Sequence, residues 1–197
     1  MKHRLPRELL PDTAAVGRDG RLSVGGVDLL DLADEYGTPL FVYDEAHLRA
    51  RCREAVDAFG DGVAYGSKAF LCTAMARLVH EEGLRVDVAT GGELHVALAA
   101  GVPPERIVLH GNNKSLDELQ RAHELGVRVV VDSFDELARL ERLHEEYGRH
   151  TRVMVRVTPG VEAHTHEYVM TGQVDSKFGL GLASGDAARA VEHAQLH

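Results

Sequence analysis

From residue 62 onward the chain repeats one pattern: a short apolar run ending in a polar residue, then a helical stretch closed by glycine. The runs read as strands over Val63–Gly66, Arg85–Ala89, Arg106–Leu109, Val127–Val131 and Arg152–Val157. Helices are predicted between them at Cys72–Glu82, Gly91–Ala100, Leu116–Leu125 and Phe134–Tyr147. Few folds accept this alternation. Ile107-Val108-Leu109 and Val129-Val130-Val131 are continuous apolar runs, which suit strands buried on both faces, as in parallel sheets. Parallel neighbours need right-handed crossovers, here supplied by the helices. The outcome is an α/β fold, either a doubly wound sheet or a (β/α)₈ barrel of the TIM type.

Local punctuation supports the same boundaries. Thr90-Gly-Gly-Glu93, Ser115-Leu-Asp-Glu118 and Ser133-Phe-Asp-Glu136 each fit a capping box, in which hydroxyl and carboxylate satisfy the first backbone N–H groups of a helix. Gly83, Gly101, Gly126 and Gly148 follow the helix ends, where a left-handed residue terminates a helix. Before residue 62 the reading is looser. A short strand is expected at Arg21–Val24, a helix at Asp28–Tyr36, a strand at Pro39–Tyr43, and then a helix capped by Asp44.

The polar residues at the strand ends decide between the two architectures. Lys68, Asp87 with Thr90, His110 to Lys114, Asp132 and Arg156 all fall at C-terminal strand ends. Barrel enzymes gather a site at that face from many strands, whereas a doubly wound sheet concentrates its ligand at one switch point. There is no G-x-G-x-x-G or P-loop in the sequence. The barrel is favoured, in incomplete form: about five strands are legible, and closure needs eight. Lys68, ending the run Val63-Ala64-Tyr65-Gly66-Ser67, is the candidate nucleophile. Poor solvation at a buried strand end disfavours an ammonium and leaves an amine fit for Schiff-base chemistry. A lysine extending its head into water from the strand end is the plainer alternative.

Net charge excludes some partners. There are 31 acidic against 22 basic residues among 197, which argues against nucleic acid and anionic membranes. No apolar run approaches the roughly 20 residues of a spanning helix. Cys52 and Cys72 read as reduced thiols in helical segments, and the expected compartment is the cytoplasm.

In order, the chain carries Tyr65-x-x-Lys68-Ala69, Asp87-Val-Ala-Thr90-Gly91-Gly92-Glu93-Leu94 and His110-Gly111-Asn112-Asn113-Lys114-Ser115. Then come Val155-Arg156-Val157-Thr158-Pro159-Gly160-Val161, Ala163-His164-Thr165-His166-Glu167-Tyr168 and Asp175-Ser176-Lys177-Phe178-Gly179-Leu180. This ordered set resembles diaminopimelate decarboxylase, a pyridoxal-phosphate enzyme family with an alanine-racemase-like barrel and a β domain, over nearly all of residues 30–182. The resemblance implies that Lys68 holds pyridoxal 5'-phosphate as a Schiff base. It also implies loss of CO₂ from meso-diaminopimelate to give L-lysine. Asp87, Arg156 and Glu93 match family positions near the cofactor. Asp87 and Arg156 form either a charge network around ring and lysine or a plain ion pair; Glu93 is also the capping carboxylate. Asn113 and Lys177 are weaker substrate or loop candidates. No metal is expected, and His164 and His166 are read as loop residues.

The Phe70 that follows Lys68-Ala69 stands where many relatives carry Asn and reads as a subgroup mark. The family chain continues well past residue 197. Residues 1–40 are expected to pack with a β domain outside this chain, and 41–197 to form a partial cofactor-binding barrel. A small amino-acid substrate and a homodimer of the complete protein follow from the same likeness. Two alternatives accompany it: a same-fold decarboxylase for ornithine or arginine, and an inactive relative that binds a partner protomer. Taken alone, the chain is expected to leave two open sheet edges, with Val129, Val131, Val153 and Val155 lacking partners on the inner face.

Overall fold

The computed structural model describes residues 6–160 and 178–196. The chain divides into two compact units, Met1–Val63 and Ala64–His197. In the first, β1 (Ala15–Val16), β2 (Leu22–Val24) and β3 (Val27–Asp28) form an antiparallel meander. Two helices follow, α1 (Leu29–Tyr36) and α2 (Glu45–Phe59). Asp28 caps α1 by accepting from Leu30 N and Asp31 N, and Asp44 caps α2 by accepting from His47 N. The strand expected at Pro39–Tyr43 does not form: residues 40–44 are irregular, and Phe41 is 87 % exposed. A strand needs a neighbour to satisfy its ladder, and none pairs with this stretch among the described residues.

The second unit realises the alternation. Strands β4 (Ala64–Gly66), β5 (Arg85–Val88), β6 (Ile107–Leu109), β7 (Arg128–Val131) and β8 (Val153–Val155) form a parallel sheet in that order. Helices α3 (Thr73–Glu81), α4 (Gly91–Ala99), α5 (Leu116–Leu125) and α6 (Phe134–Tyr147) are the crossovers. Strand order equal to chain order is what a barrel requires, and it excludes the switch point of a doubly wound sheet. At Arg156 the fifth strand stops pairing with β7. Its continuation β9 (Val157–Thr158) pairs in parallel with β10 (Leu180–Gly181), and α7 (Asp186–Leu196) follows. The sequence reading of about five strands therefore gains a sixth, too short at two residues to show a periodicity.

Register settles which side chains face where. Asp87 pairs with Val108, Val129 with Val153, and Val131 with Val155. Side chains alternate between faces along a strand. Val86, Val88, Ile107, Leu109, Val129 and Val131, each 0 % exposed, therefore share the face covered by helices. Val129, Val131, Val153 and Val155 belong to this face, which corrects their expected inward placement. The opposite face carries Asp87, Val108, Val130 and Met154, with Met154 41 % exposed. The helices present their buried residues at spacings of three and four, Met75, Ala76 and Val79 in α3 and Leu137, Leu140 and Leu143 in α6. Each fully buried aliphatic contributes about 1.5–3 kcal/mol.

Only one of the three expected capping boxes closes as such. Ser115 Oγ accepts from Glu118 N, and Glu118 Oε2 accepts from Ser115 N. Thr90 and Ser133 make the hydroxyl half. Their glutamates reach one residue further back, Glu93 to Ala89 N and Glu136 to Asp132 N. The helix-ending glycines Gly83, Gly101, Gly126 and Gly148 all have positive φ, as expected. Cys52 is buried within α2, Cys72 is half-buried at the N-cap of α3, and neither is in a disulfide.

Candidate functional site

The inner face and the loops at the C-terminal strand ends enclose an open cleft of about 360 Å³ within the second unit. Its lining comes from the C-terminal ends of β4, β5, β6 and β8 and from the segment before β10: Gly66, Ser67, Lys68, Asp87, Ala89, His110, Gly111, Asn112, Arg156 and Phe178. Lys68 reaches it from a single helical turn, Ser67–Ala69, directly after β4. Asp87 is the penultimate residue of β5, and His110 and Arg156 immediately follow β6 and β8. These are the strand ends that the sequence marks.

Lys68 is exposed, which corrects the premise that a buried strand end desolvates it. The physical reason is that β4 has a single neighbour, β5, among the described residues. Asp87 and Arg156 also depart from the simplest expectation, because they do not pair with each other. His110 Nδ1 lies 3.2 Å from Asp87 Oδ2. Arg156 Nη1 donates to Asp132 Oδ1 at 3.0 Å, and its guanidinium stacks 4.5 Å above the Phe178 ring. Asp132 Oδ2 accepts Gly179 N at 2.8 Å, and Thr158 Oγ1 donates to the Phe178 carbonyl. Asp132 is 4 % exposed, so its carboxylate is a fixed point that aims Arg156 through Oδ1 and holds Gly179 through Oδ2.

Two polar atoms at the cleft are buried and have no partner among the described residues: Asp87 Oδ1 and Ser67 Oγ. A buried oxygen without a donor is costly. Beside an exposed primary amine, Asp87 Oδ1 is an acceptor waiting for a cationic or N–H group. This set suits pyridoxal phosphate, with the Lys68 amine matched to its aldehyde and a carboxylate and guanidinium matched to its charged groups. Of the two lysines among the described residues, Lys68 and Lys114, Lys68 lines the cleft. Lys114 is buried in an ion pair with Glu136 at 3.0 Å.

The remaining candidates are spread more widely. Glu93 Oε2 holds Ala89 N at 2.6 Å and does not line the cleft. Asn113 is exposed, and its neighbour Asn112 is the lining residue. Lys177, His164 and His166 lie outside the described residues. Sequence reasoning left out His110, Asp132 and Phe178 as site members. The first two were visible as polar strand ends, but nothing in their spacing gave their partners. Among the described residues no cluster of histidine, cysteine and acidic side chains could hold a metal, and no helix is long and apolar enough to cross a membrane.

Comparison with known proteins gives this geometry a context. The family model described as pyridoxal-dependent decarboxylase, pyridoxal binding domain, matches residues 45–197. The diaminopimelate decarboxylase of Mycobacterium tuberculosis is 56 % identical over 175 residues, covering 87 % of this chain and 39 % of that protein. The Bacillus subtilis diaminopimelate decarboxylase is 52 % identical over 190 residues, 93 % of this chain and 43 % of that protein. Among solved structures, M. jannaschii diaminopimelate decarboxylase in complex with L-lysine superposes with a TM-score of 0.81 at 33 % identity. That match covers 95 % of this chain and 45 % of the other. The chain thus spans less than half the length of these relatives.

Proposed function

This chain belongs to the pyridoxal-dependent decarboxylases, and we propose that it forms the lysine-bearing part of an enzyme that converts meso-diaminopimelate to L-lysine and CO₂. One observation carries the reading. The exposed amine of Lys68, the unpartnered Asp87 Oδ1 and the Asp132-oriented guanidinium of Arg156 meet in one cleft at the C-terminal strand ends. The high identity to diaminopimelate enzymes supports that substrate over ornithine or arginine.

Bound pyridoxal phosphate supplies a ring that absorbs the electron pair left when a carboxylate departs. The chain's own residues do the rest of the work assigned to it. Lys68 Nζ provides the amine for covalent attachment and a group that can hold or release a proton. Asp87 Oδ1 accepts from a cationic N–H, and His110 holds the other oxygen of that carboxylate. Arg156, fixed by Asp132 and Phe178, presents positive charge to an anionic group. Glu93 supports this face by holding the backbone after β5. Asn113 and Lys177 are assigned to the substrate side. We assign residues 1–40 to a β domain and 41–197 to the cofactor-binding barrel; the antiparallel meander in the first unit supports the former. The complete enzyme is proposed to be a cytoplasmic homodimer. The absence of a disulfide at Cys52 and Cys72 accords with a reducing compartment. The exposed Phe41 and Phe59 accord with surfaces that further protein covers.

The test is borohydride reduction of the protein with pyridoxal phosphate, followed by peptide mapping, alongside CO₂ release from meso-diaminopimelate, ornithine and arginine. The expected result is an adduct on Lys68, absent from Lys68→Ala, and turnover of meso-diaminopimelate alone. Undiminished turnover by Lys68→Ala, or trapping on a different lysine, would refute the reading.

A further inference from the structure

Lys114 is 1 % exposed, and its partner Glu136 is buried with it. No step assigned to the cleft uses this charge, and Lys114 does not line it. A buried ion pair is frequently no more stabilising than apolar residues of the same shape, so its presence calls for an account. The hydrogen bonds supply one. Lys114 Nζ donates to Gly111 O at 2.5 Å and to Val130 O at 2.7 Å, and lies 3.0 Å from Glu136 Oε2. That uses all three ammonium donors. Glu136 in turn accepts from Asp132 N at 2.9 Å and from Lys114 N at 3.3 Å.

The two side chains therefore tie the loop after β6 to the end of β7 and to the loop that follows it. The first tied segment lines the cleft, and the second holds Arg156, which does. Gly111 is a lining residue whose carbonyl Lys114 holds. Its φ is +110°, and a Cβ there would stand 3.0 Å from Ala89 O, so this backbone is packed against the preceding loop. Asp132, whose amide Glu136 holds, is the carboxylate that aims Arg156.

We infer that Lys114 and Glu136 are positioning residues, a buried pair behind the cleft that fixes both the Gly111 backbone and the Asp132–Arg156 pair for cofactor binding. The inference rests on the proposed use of the cleft by pyridoxal phosphate. A pair that served only the core would be replaceable without effect on that binding.

The experiment compares the intact protein with the double variant Lys114→Met, Glu136→Gln, which removes the charge while keeping side-chain length. Thermal melting, pyridoxal-phosphate affinity and amide hydrogen exchange are measured on both. Melting is expected to stay within a few degrees of wild type, while affinity falls about tenfold or more. Exchange is expected to accelerate at 111–114 and 132–136 and to remain unchanged in β5 and β6. A folded double variant with wild-type affinity and exchange overturns the inference. Should the variant fail to fold, the wild-type protein decides. The amides of Lys114 and Asp132, both bonded to Glu136, must exchange as slowly as those of β6, and loop-like rates overturn the inference. Absence of a Lys68 adduct in wild type would defeat the functional reading instead, and the exchange data would still report whether the pair holds the two loops.

Discussion

Gly179 and Gly126 have the same backbone angle, φ +74°, and this makes them a matched pair. An alanine at Gly126 meets nothing within 4 Å. Its cost is that of a left-handed non-glycine residue, about 1 kcal/mol. An alanine at Gly179 would carry the same backbone cost, and its Cβ would also stand 2.9 Å from Arg156 O, 3.0 Å from Thr158 Oγ1 and 3.1 Å from Arg156 Cγ. None of these yields easily. The first is backbone, the second is held by the Phe178 carbonyl, and the third is the stem of a side chain anchored on Asp132. Overpacking of this kind costs roughly a further 1–3 kcal/mol. Any retreat of residue 179 also stretches its 2.8 Å bond to Asp132 Oδ2. Gly179→Ala should therefore destabilise by about 3 kcal/mol and Gly126→Ala by about 1 kcal/mol. At roughly 2–4 °C per kcal/mol for a chain of this size, the melting temperatures should differ by about 6 °C. Parallel thermal and urea melts of the two variants measure this. Equal destabilisation would show that the close approach of the segment before β10 to Arg156 carries no energy, and the described anchoring of Arg156 would fail with it.

Three further outcomes are expected. Burial first, and then the nearby Arg149 charge, depress the His123 imidazole below its usual 6.5. The folded state thus binds fewer protons than the unfolded one just below that value, and its stability is full above pH 6.5 and declines as pH falls beneath it; urea melts should show this slope, and His123→Gln should flatten it. Hydrogen bonds from Ser115 N, Gly91 N and Ser115 Oγ together outweigh the opposing desolvation, the largest single cause, and hold the Glu118 carboxyl below 4.5. Glu118→Ala should therefore cost about 1–2 kcal/mol at neutral pH, with the difference from wild type shrinking as acid titrates the carboxylate, read by melts from pH 7 to pH 3. Leu109→Ala, at a position 0 % exposed in the central strand, should cost about 2–5 kcal/mol in the same assay.

Much of the second unit is legible in the chain because its signals are local. The ranges expected for the helices at 116–125 and 134–147 are those observed. There the hydrophobic period, the N-terminal hydroxyl and the terminal glycine agree. The order of polar strand ends is legible for the same reason, since a parallel sheet with helical crossovers brings successive C-terminal ends to one side. What the sequence does not show is which polar group meets which. Asp87 faces His110, 23 residues on, and Arg156 faces Asp132, 24 residues back. Both are neighbouring-strand contacts fixed by register, and register is set in each case by three backbone pairs without a sequence mark of their own. The solvation of Lys68 is not legible for a similar reason. A strand's apolar composition says that it can be buried, whereas its exposure depends on how many neighbours it has.

The three glutamates at the third position of α4, α5 and α6 show how a local motif acquires a wider role. The spacing Ser/Thr-x-x-Glu requires only that hydroxyl and carboxylate serve one helix end. In the structure each carboxylate holds its own loop with one oxygen, through Ala89 N, Ser115 N and Asp132 N respectively. Glu118 and Glu136 turn the other oxygen to the preceding loop, at Gly91 N and Lys114 N. Asp132 extends the series to Arg156 and Gly179. Consecutive loops on the site face are thereby linked side to side by carboxylates that accept backbone or guanidinium N–H. Loops are ordinarily the mobile part of a barrel, and a site drawn from four of them needs positions held to a fraction of an ångström. The linked glutamates satisfy that need with residues already present to cap the helices, and so the chain that encodes the alternation of strands and helices also encodes the rigidity of the cleft.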